Sequence, residues 1–340
     1  MNAVRKFLVL NLALVSLALV SVTLSSCITS VESKMGREQL QCKRIPVIFD
    51  TDIGGDIDDT WTLAMLLQSP EFDIKLITTE VGDTSAKAKI VAKMLEVAGR
   101  TDVPIGIGLP HPDKPRGHNQ LEWVKNYELS SYPGEIHQDG VQALIDTVMD
   151  CPEPITIIAV GPLPNIAAAL EREPRIAEKA EFIGMHGSVR RGYGGRREID
   201  AEYNVKTFAK EAQKVFTAKW EMTITPLDTC GIVRLEGKKY EKVLKSENPL
   251  ARAVIENYRA WTKSQGREEA RVNTGSSTLY DTVAVYLAIS TELVRMERLP
   301  IRVTDDGYTA IDNKGKTVNC ATEWKDLDAF EDLLVSRLTE

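Results

Sequence analysis

Residues 46–59, PVIFDTDIGGDIDD, run from an apolar stretch through an acidic turn into a helix, and they decide the fold. The apolar start is typical of a buried strand, and a helical period begins at Trp61. Gly54 and Gly55 allow the backbone to turn tightly between the strand and the helix. The turn carries Asp50, Asp52, Asp56, Asp58 and Asp59. Open α/β sheets place a site at the carboxyl end of a strand in this way, so the stretch predicts an α/β fold with a site here.

The density of carboxylates in this turn indicates a bound cation. Five aspartates within ten positions repel one another unless protons or a cation neutralise them. Ligands that are all oxygen favour Ca²⁺ or Mg²⁺ over Zn²⁺. An exposed acidic turn, an EF-hand calcium loop and a haloacid-dehalogenase phosphatase loop are the other interpretations. The EF-hand pattern fails at Trp61, where a bidentate Glu is required, and the phosphatase pattern normally has Thr or Val where this chain has Gly54.

The first 27 residues have the pattern of an export signal. Arg5 and Lys6 precede an apolar run over residues 7–22, which is shorter than the roughly 20 residues of a membrane-spanning helix. The run ends in Leu-Ser-Ser-Cys, which resembles the bacterial lipoprotein box, with Cys27 as the lipid-bearing residue. An ordinary cleaved signal is the alternative. Residues 28–44 are polar and predict a flexible tether, so we expect a lipid-anchored protein of the bacterial cell envelope that faces the periplasm or the exterior.

Residues 45–340 are long enough for one large α/β domain with a substantial core. The composition, 43% hydrophobic and 27% charged, is ordinary for a globular enzyme. A net charge of −7 with no basic face argues against a nucleic-acid partner. The cysteines after Cys27 have no metal-type spacing.

Apolar and helical segments alternate through the rest of the chain. The patterns predict strands near residues 73–78, 103–107, 155–160, 182–185, 222–225, 299–303 and 308–311, and helices near 86–98, 236–245, 248–264 and 327–338. Residues 109–138 contain too many prolines and glycines for regular structure, and a loop of that length is more often functional than idle.

Five short motifs, in order along the chain, resemble those of the inosine–uridine nucleoside hydrolase family. The first is the 50–59 loop, where the family has Asp-x-Asp-Pro-Gly-x-Asp-Asp, and the second is Gly82-Asp83, where the family has Gly-Asn. Residues 161–165 (GPLPN) correspond to the family's Gly-Pro-Leu-Thr-Asn, and residues 201–204 (AEYN) to its Ala-Glu-Phe-Asn. The last is Tyr280-Asp281, where the family has His-Asp. In the first motif Ile53 replaces the Pro and the loop is two residues longer. The resemblance covers essentially all of residues 45–340.

The resemblance implies an open, mostly parallel, Rossmann-like sheet and the hydrolysis of an N-glycosidic bond in ribonucleosides or related ribosides, giving ribose and free base. It implies one Ca²⁺ held by Asp52, Asp59, Asp281 and the carbonyl of Val160. Asp52 would also take the proton of the attacking water. The residues expected to hold the sugar hydroxyls are Asp58, Asp83, Glu202 and Asn204.

The residue that would protonate the leaving base departs from the family pattern. The family uses His as the acid, and this chain has Tyr280, whose phenol has a pKa near 10 and is a poor acid at neutral pH. His137 is the second candidate, because the segment that begins there resembles a family His-Gly segment whose His faces the base. The base preference therefore stays open at this point.

The arginine-rich segment, the function and the oligomeric state each have alternative interpretations. The arginine-rich segment from Arg190 to Arg197 is either a solvated flap or an anion clamp for an acidic substrate. A riboside-binding lipoprotein without catalysis and a Mg²⁺-dependent phosphohydrolase with Asp50 as nucleophile are the alternative functions. The family resemblance also allows a homo-oligomer.

Overall fold

A ten-stranded sheet forms the centre of the computed structural model, which describes residues 44–111 and 118–340. The strands are β1 (Ile45–Thr51), β2 (Phe72–Thr79), β3 (Ile105–Ile107), β4 (Ile136–His137), β5 (Ile155–Ala159), β6 (Ala180–Met185), β7 (Met222–Thr225), β8 (Val294–Val303), β9 (Thr309–Ile311) and β10 (Lys316–Trp324). Their order across the sheet is β4-β3-β2-β1-β5-β6-β7-β10-β8-β9. The pairs from β4 to β10 are parallel, and β8 and β9 continue the sheet in antiparallel pairing. The open, mostly parallel α/β sheet that the sequence predicts is confirmed.

Helices cover both faces of the sheet. They are α1 (Asp58–Leu67), α2 (Thr84–Val97), α3 (Gly140–Asp150), α4 (Pro164–Arg172), α5 (Ile176–Lys179), α6 (Tyr203–Thr207), α7 (Ala209–Thr217), α8 (Leu227–Cys230), α9 (Gly237–Leu244), α10 (Pro249–Ser264), α11 (Thr282–Ile289) and α12 (Leu327–Thr339). Single 3₁₀ turns lie at Leu121–Val124, Leu129–Ser131, Tyr193–Gly195 and Glu269–Asn273.

The alternation of side chains along β1 divides the apolar core in two. Phe49 packs with Trp61 and other residues of one core cluster, whereas the neighbouring Ile48 belongs to a second cluster that contains Leu76 and Leu144. Successive side chains of a strand point to opposite faces, so the two clusters lie on opposite faces of the sheet. A strand buried on both faces needs a nearly continuous apolar sequence, which is why β1 and β5 are recognisable from sequence.

The order of strands changes direction at β1. Its neighbours are β2 on one side and β5 on the other, and both pair with it in parallel. Such a reversal opens a crevice beyond the carboxyl ends of the strands, because the following loops diverge to opposite faces. The acidic turn after β1 therefore lies beside the place where α/β sheets bind ligands.

Two parts of the structure differ from the sequence-based expectation. Strand β10 was not predicted, although Val318 and Cys320 are buried at alternate positions, because its polar residues weaken the apolar signal. Within residues 109–138, the described part contains β4 and two 3₁₀ turns in place of a continuous loop.

The predicted signal peptide, Cys27 and all of the tether but Arg44 lie outside the described residues, so these predictions stay untested. In the part of the chain that is described, no helix combines the length and apolarity needed to cross a membrane. Among the described cysteines, Cys151, Cys230 and Cys320 are free thiols.

Candidate active site

A cavity of about 220 Å³ opens where the acidic turn meets the loops after β5 and β6. Its lining is dominated by carboxylic acids and tyrosines. The lining residues are Asp52, Asp56, Asp58, Asp59, Val160, Met185, Tyr193, Glu202, Tyr203, Asn204, Tyr280 and Asp281. Five separated segments singled out in the sequence thus meet at one cavity.

The carboxylates of the acidic turn lie at different depths because of where each stands relative to β1 and α1. Asp50, still within β1, is fully buried and accepts hydrogen bonds from the Thr78 hydroxyl and from Asn165 Nδ2 (2.8 Å). It does not line the cavity, so it offers no nucleophile there for the phosphohydrolase alternative. Asp58 and Asp59 are the first two residues of α1, where the helix N-terminus favours negative charge.

Three carboxylates form a cluster that fits a divalent cation. Asp58, Asp59 and Asp281 each offer an oxygen atom, these atoms lie within 4.8 Å of one another, and all three residues are buried. Burial together with the charge of neighbouring aspartates raises the pKa of each carboxyl well above its usual range. Such a group of carboxylates is stable in its charged form when a cation neutralises it, and hard oxygen donors of this kind hold divalent metals.

The ligands predicted from sequence and the observed cluster overlap without being identical. Asp59 and Asp281 belong to both sets, and Asp52 and Val160 line the same cavity. Asp58, predicted to bind sugar hydroxyls, lies within the carboxylate cluster itself. The structure therefore adds Asp58 to the candidate metal ligands.

Glu202 and Asn204 are fixed at the start of α6. The Glu202 side chain caps the helix by accepting hydrogen bonds from the backbone N–H groups of Asn204 (2.7 Å) and Val205 (3.2 Å). Asn204 Nδ2 donates to the backbone carbonyls of Val160 (2.8 Å) and Met185 (3.0 Å). Burial raises the pKa of Glu202 to about 7, against the opposing effect of its backbone hydrogen bonds. Because its amide protons point to the protein, the Asn204 oxygen is the atom that suits a ligand.

Tyr280 lies at the cavity next to Asp281, as the motif predicts. Its ring packs edge-on against Tyr193, with 6.1 Å between the ring centroids. Burial raises the pKa of the Tyr280 phenol to about 12, so the phenol is a poorer proton donor than an exposed tyrosine.

Two predicted site residues lie elsewhere. Asp83 is exposed and caps α2, where its carboxylate accepts the backbone N–H of Ala86 at 2.9 Å. His137 lies on β4 at the edge of the sheet, and its Nε2 is 3.6 Å from a carboxylate oxygen of Glu135. Neither lines the cavity. The sequence motifs predicted both positions from neighbouring residues alone. The direction of the Asp83 side chain depends instead on the helix cap, and that of His137 on the edge strand.

The arginines from 190 to 197 do not line the cavity. Arg190 pairs with Glu297, and Arg196 pairs with Asp200. The segment contributes Tyr193 to the cavity instead, and the Tyr193 hydroxyl accepts the backbone N–H of Tyr203 at 2.9 Å. These contacts argue against an anion clamp built from this pair of arginines.

Sequence reasoning missed a charged layer beneath the cavity. Glu80 and Lys87 are both fully buried, and the Lys87 ammonium donates to the carbonyl oxygens of Asp52 and Glu80. A Cβ atom at Gly161 would lie 2.4 Å from Glu80 Oε1 and 2.9 Å from the Asp52 nitrogen, so only glycine fits there. The sequence signal for this layer was Glu80 at the end of an apolar strand and Lys87 on the buried face of α2.

Comparison with known proteins now identifies the class. The family described as inosine-uridine preferring nucleoside hydrolase matches residues 47–332. The pyrimidine-specific ribonucleoside hydrolase RihA of Citrobacter koseri is 28% identical over 314 residues, which are 86% of this chain and 98% of that protein. The inosine-uridine preferring nucleoside hydrolase of Crithidia fasciculata is 28% identical over 268 residues, 76% of this chain and 82% of that protein.

Solved structures agree on the fold. A plant nucleoside hydrolase superimposes with a TM-score of 0.73 at 23% identity, covering 87% of this chain and 99% of the other. A purine-preferring ribonucleoside hydrolase from Gardnerella vaginalis gives a TM-score of 0.70 at 21% identity, covering 86% and 98%.

The family match, together with the acid-lined cavity at the switch point of the α/β fold, defines the class as a metal-dependent hydrolase of sugar-linked compounds. The chain belongs to the inosine-uridine preferring nucleoside hydrolase family, whose members are N-ribosyl hydrolases. The family, the fold class and the enzyme class predicted from sequence are confirmed. The names of these relatives state pyrimidine, inosine-uridine and purine preferences, so membership of the family does not specify which base is preferred.

Proposed function

We propose that this protein hydrolyses the N-glycosidic bond of ribonucleosides or related ribosides, with Ca²⁺ as its metal, and releases ribose and the free base. The observation that carries the proposal is the meeting of Asp52, Asp59, Asp281, Glu202 and Asn204 at one cavity. These residues come from three distant segments, so their meeting reflects the fold and not local composition.

The residues divide the chemistry between them. An N-glycosidic bond breaks through an oxocarbenium-like transition state, which nearby negative charge stabilises. Asp52, 7% exposed, can accept the proton of an attacking water. Asn204, held at a helix start, orients sugar hydroxyls through its amide oxygen, and Glu202 borders the same part of the cavity.

The metal would be held by Asp52, Asp58, Asp59, Asp281 and the carbonyl of Val160. Calcium suits this set because it accepts six to eight oxygen ligands in a flexible arrangement, and carboxylates with a backbone carbonyl are its usual partners. When bound, such an ion supplies positive charge that orients sugar hydroxyls and promotes ionisation of water.

Release of ribose from a panel of ribosides tests the proposal. A reducing-sugar assay is run with added Ca²⁺ and with chelator, on the unaltered protein and on Asp52→Ala. Release that needs the metal and falls by about 10³-fold or more in the variant is expected, because the proton acceptor is lost. Asp150→Asn removes one exposed carboxylate on α3 and is the matched control.

The alternative of a binding lipoprotein makes a different prediction in the same experiment. Calcium binding and riboside binding by calorimetry, without ribose release from any member of the panel, would replace the hydrolase by a capture protein. The family match favours the hydrolase, because the members of this family are N-ribosyl hydrolases.

We further propose that Cys27 carries a lipid that anchors the protein to the bacterial cell envelope, facing the periplasm or the exterior. The support is the charged start, the apolar run over residues 7–22 and the Leu-Ser-Ser-Cys that ends it. A homo-oligomer, suggested by the family resemblance alone, is checked by light scattering on the purified protein.

A further inference from the structure

The cavity has an acidic floor and an aromatic rim. The floor consists of Asp52, Asp58, Asp59, Glu202 and Asp281, all at most 7% exposed. We use "aromatic rim" for Tyr193, Tyr203 and Tyr280, which line the same cavity and are each partly exposed. A sugar held by the buried carboxylates would therefore direct its aglycone outward, toward the tyrosines.

The rim carries one further carboxylate, Asp56. This residue lies in the longer part of the acidic turn, is half-buried, lines the cavity, and is close enough to Tyr280 for its charge to act on the phenol. Its Oδ1 accepts the N–H of Ile57 at 2.8 Å, which fixes the side chain at the start of α1. The nucleoside hydrolase motif quoted above has no counterpart to Asp56.

The lining is strongly unbalanced in charge. Among the described residues that line the cavity, six are carboxylic acids and none is Lys, Arg or His. One divalent cation cancels part of this charge, and the remainder lies in a cleft that focuses its field. Aromatic faces beside such charge attract cations further, through the ring quadrupole.

The chemistry of the leaving group points the same way. A neutral nucleobase leaves as an anion unless an acid protonates it, and the described lining offers a phenol where the family has an imidazole. Glu202 also lines the cavity, but both of its carboxylate oxygens accept hydrogen bonds from backbone N–H groups, so its carboxyl is held as an acceptor and not as a proton donor. A base that is already cationic leaves as a neutral molecule and needs no acid.

We propose that the preferred substrate is a riboside whose aglycone is a cationic nitrogen heterocycle, such as a pyridinium or an N-alkylated purine, bound between the aromatic rim and Asp56. Water adds its oxygen to C1′, and the C1′–N bond breaks with its electron pair returning to the ring nitrogen. The products are ribose, the neutral heterocycle and one proton, which passes to solvent through Asp52. This inference rests on the proposed hydrolase function and specifies its substrate.

Three probes separate charge from leaving ability. They are 1-(β-D-ribofuranosyl)pyridinium, the neutral 4-nitrophenyl β-D-ribofuranoside, whose aglycone also leaves without an acid, and uridine, whose base needs one. With the full chain and Ca²⁺, the pyridinium riboside is expected to have a KM about tenfold or more below that of the nitrophenyl riboside at low salt, with the two converging at high salt. Uridine is expected to be slowest in kcat. The inference is overturned if the pyridinium riboside binds no more tightly than the nitrophenyl riboside. It is also overturned if uridine is turned over as fast as the other two ribosides.

Asp56→Asn tests the residue, because asparagine keeps the shape and removes the charge. The ratio of kcat/KM for the pyridinium over the nitrophenyl riboside is expected to fall about tenfold, through KM and not kcat. Asp150→Asn, at an exposed position of α3, is the matched control and keeps the ratio. A folded Asp56→Asn variant with an unchanged ratio, or with equal losses on both ribosides, assigns Asp56 a structural role and overturns its part.

The nitrophenyl riboside also distinguishes a failure of the hydrolase function from a failure of the cationic-substrate inference. If neither these three ribosides nor any other member of the panel is cleaved by the calcium-loaded protein, the proposed hydrolase function fails. If the nitrophenyl riboside is cleaved and the pyridinium riboside is not preferred, the hydrolase stands and the cationic substrate fails.

Discussion

The ammonium nitrogen of Lys87 lies 2.5 Å from the backbone carbonyl oxygen of Asp52 and 3.0 Å from that of Glu80. Lys87 is on α2 and fully buried, so one side chain joins this helix to the ends of β1 and β2. Its charge lowers the pKa of the Glu80 and Asp59 carboxyls, against the larger effect of burial, and so favours their ionised form. Lys87 is thus a structural cation beneath the candidate metal site.

Lys87→Met is expected to destabilise the protein. The methionine fills a similar volume but leaves two buried carbonyls without their donor and the acidic layer without its cation. Losing one partner of a buried charged group costs about 3–5 kcal/mol, so the melting temperature in chelator is expected to fall by several degrees. Thermal unfolding followed by circular dichroism measures it.

Lys89→Met is the matched control, because Lys89 is two residues along the same helix, half-buried, and pairs with Glu128 only at 3.8 Å. A surface pair of this kind contributes at most about 1 kcal/mol. Equal melting temperatures for the two variants would contradict a structural role specific to Lys87.

The sequence alone predicted the parts of the site that depend on chain order. The acidic turn, the Ala-Glu-Tyr-Asn segment and Tyr280-Asp281 reach one cavity because parallel strands bring their carboxyl ends to one edge. Asp83 and His137 lie outside the cavity lining because a helix cap and an edge strand set their directions. Lys87 was missed because a lysine on a helix is usually exposed, and its burial follows from packing against β1 and β2.

Asp281→Asn is expected to weaken calcium binding strongly. The residue supplies one of three buried carboxylates within 4.8 Å, and loss of its charge removes a hard ligand. Isothermal titration with Ca²⁺ is expected to show a Kd raised about 100-fold, which is a loss of about 2.7 kcal/mol.

Asp83→Asn is the control for this measurement. Asparagine caps a helix as well as aspartate does, and Asp83 lies outside the cavity lining, so the calcium affinity is expected to stay unchanged. A Kd that rises in Asp83→Asn and not in Asp281→Asn would contradict the assignment of the cavity as the metal site.

Tyr280→His is expected to speed hydrolysis of nucleosides with neutral bases. The imidazole can protonate the departing base at neutral pH, a step that contributes about 10²–10⁴-fold in enzymes and that the phenol performs poorly. The kcat for inosine or uridine is expected to rise at least about tenfold and to fall again as the pH passes the histidine pKa.

Tyr280→Phe separates acid catalysis from packing, since it keeps the ring against Tyr193 and removes the hydroxyl. It is expected to give no gain in kcat on either nucleoside. A gain as large as that of Tyr280→His would show that the phenol hinders the reaction sterically and would contradict the role of the imidazole as an acid.

Cys27→Ser is expected to release the protein from membranes. The proposed lipid would be attached through the cysteine thiol. The variant of the full chain is therefore expected in the soluble fraction after cell lysis, and the unaltered protein is expected to sediment with the envelope. Metabolic labelling with a fatty acid gives an independent readout. Labelled protein in the Cys27→Ser variant would contradict the anchor.

His186 makes stability depend on pH. Its ring is fully buried, Nε2 lies 3.0 Å from the carbonyl oxygen of Gly161, and Nδ1 has no hydrogen-bond partner among the described residues. Burial lowers the pKa of His186 from 6.5 to about 4, with the Gly161 contact opposing the shift. Between these values the unfolded chain binds a proton that the folded protein does not, so this stabilisation is present above about pH 6.5 and is lost as the pH falls toward 4.

His186→Gln keeps a donor for the Gly161 carbonyl and removes the titrating ring. Urea unfolding in chelator near pH 7.5 and pH 4.5 measures the free energy of unfolding of both proteins. Acidic groups contribute equally to the two, so the unaltered protein is expected to lose about 2–3 kcal/mol more than the variant between these conditions. The same pH dependence in both proteins would mean that His186 is accessible to protons in the folded state.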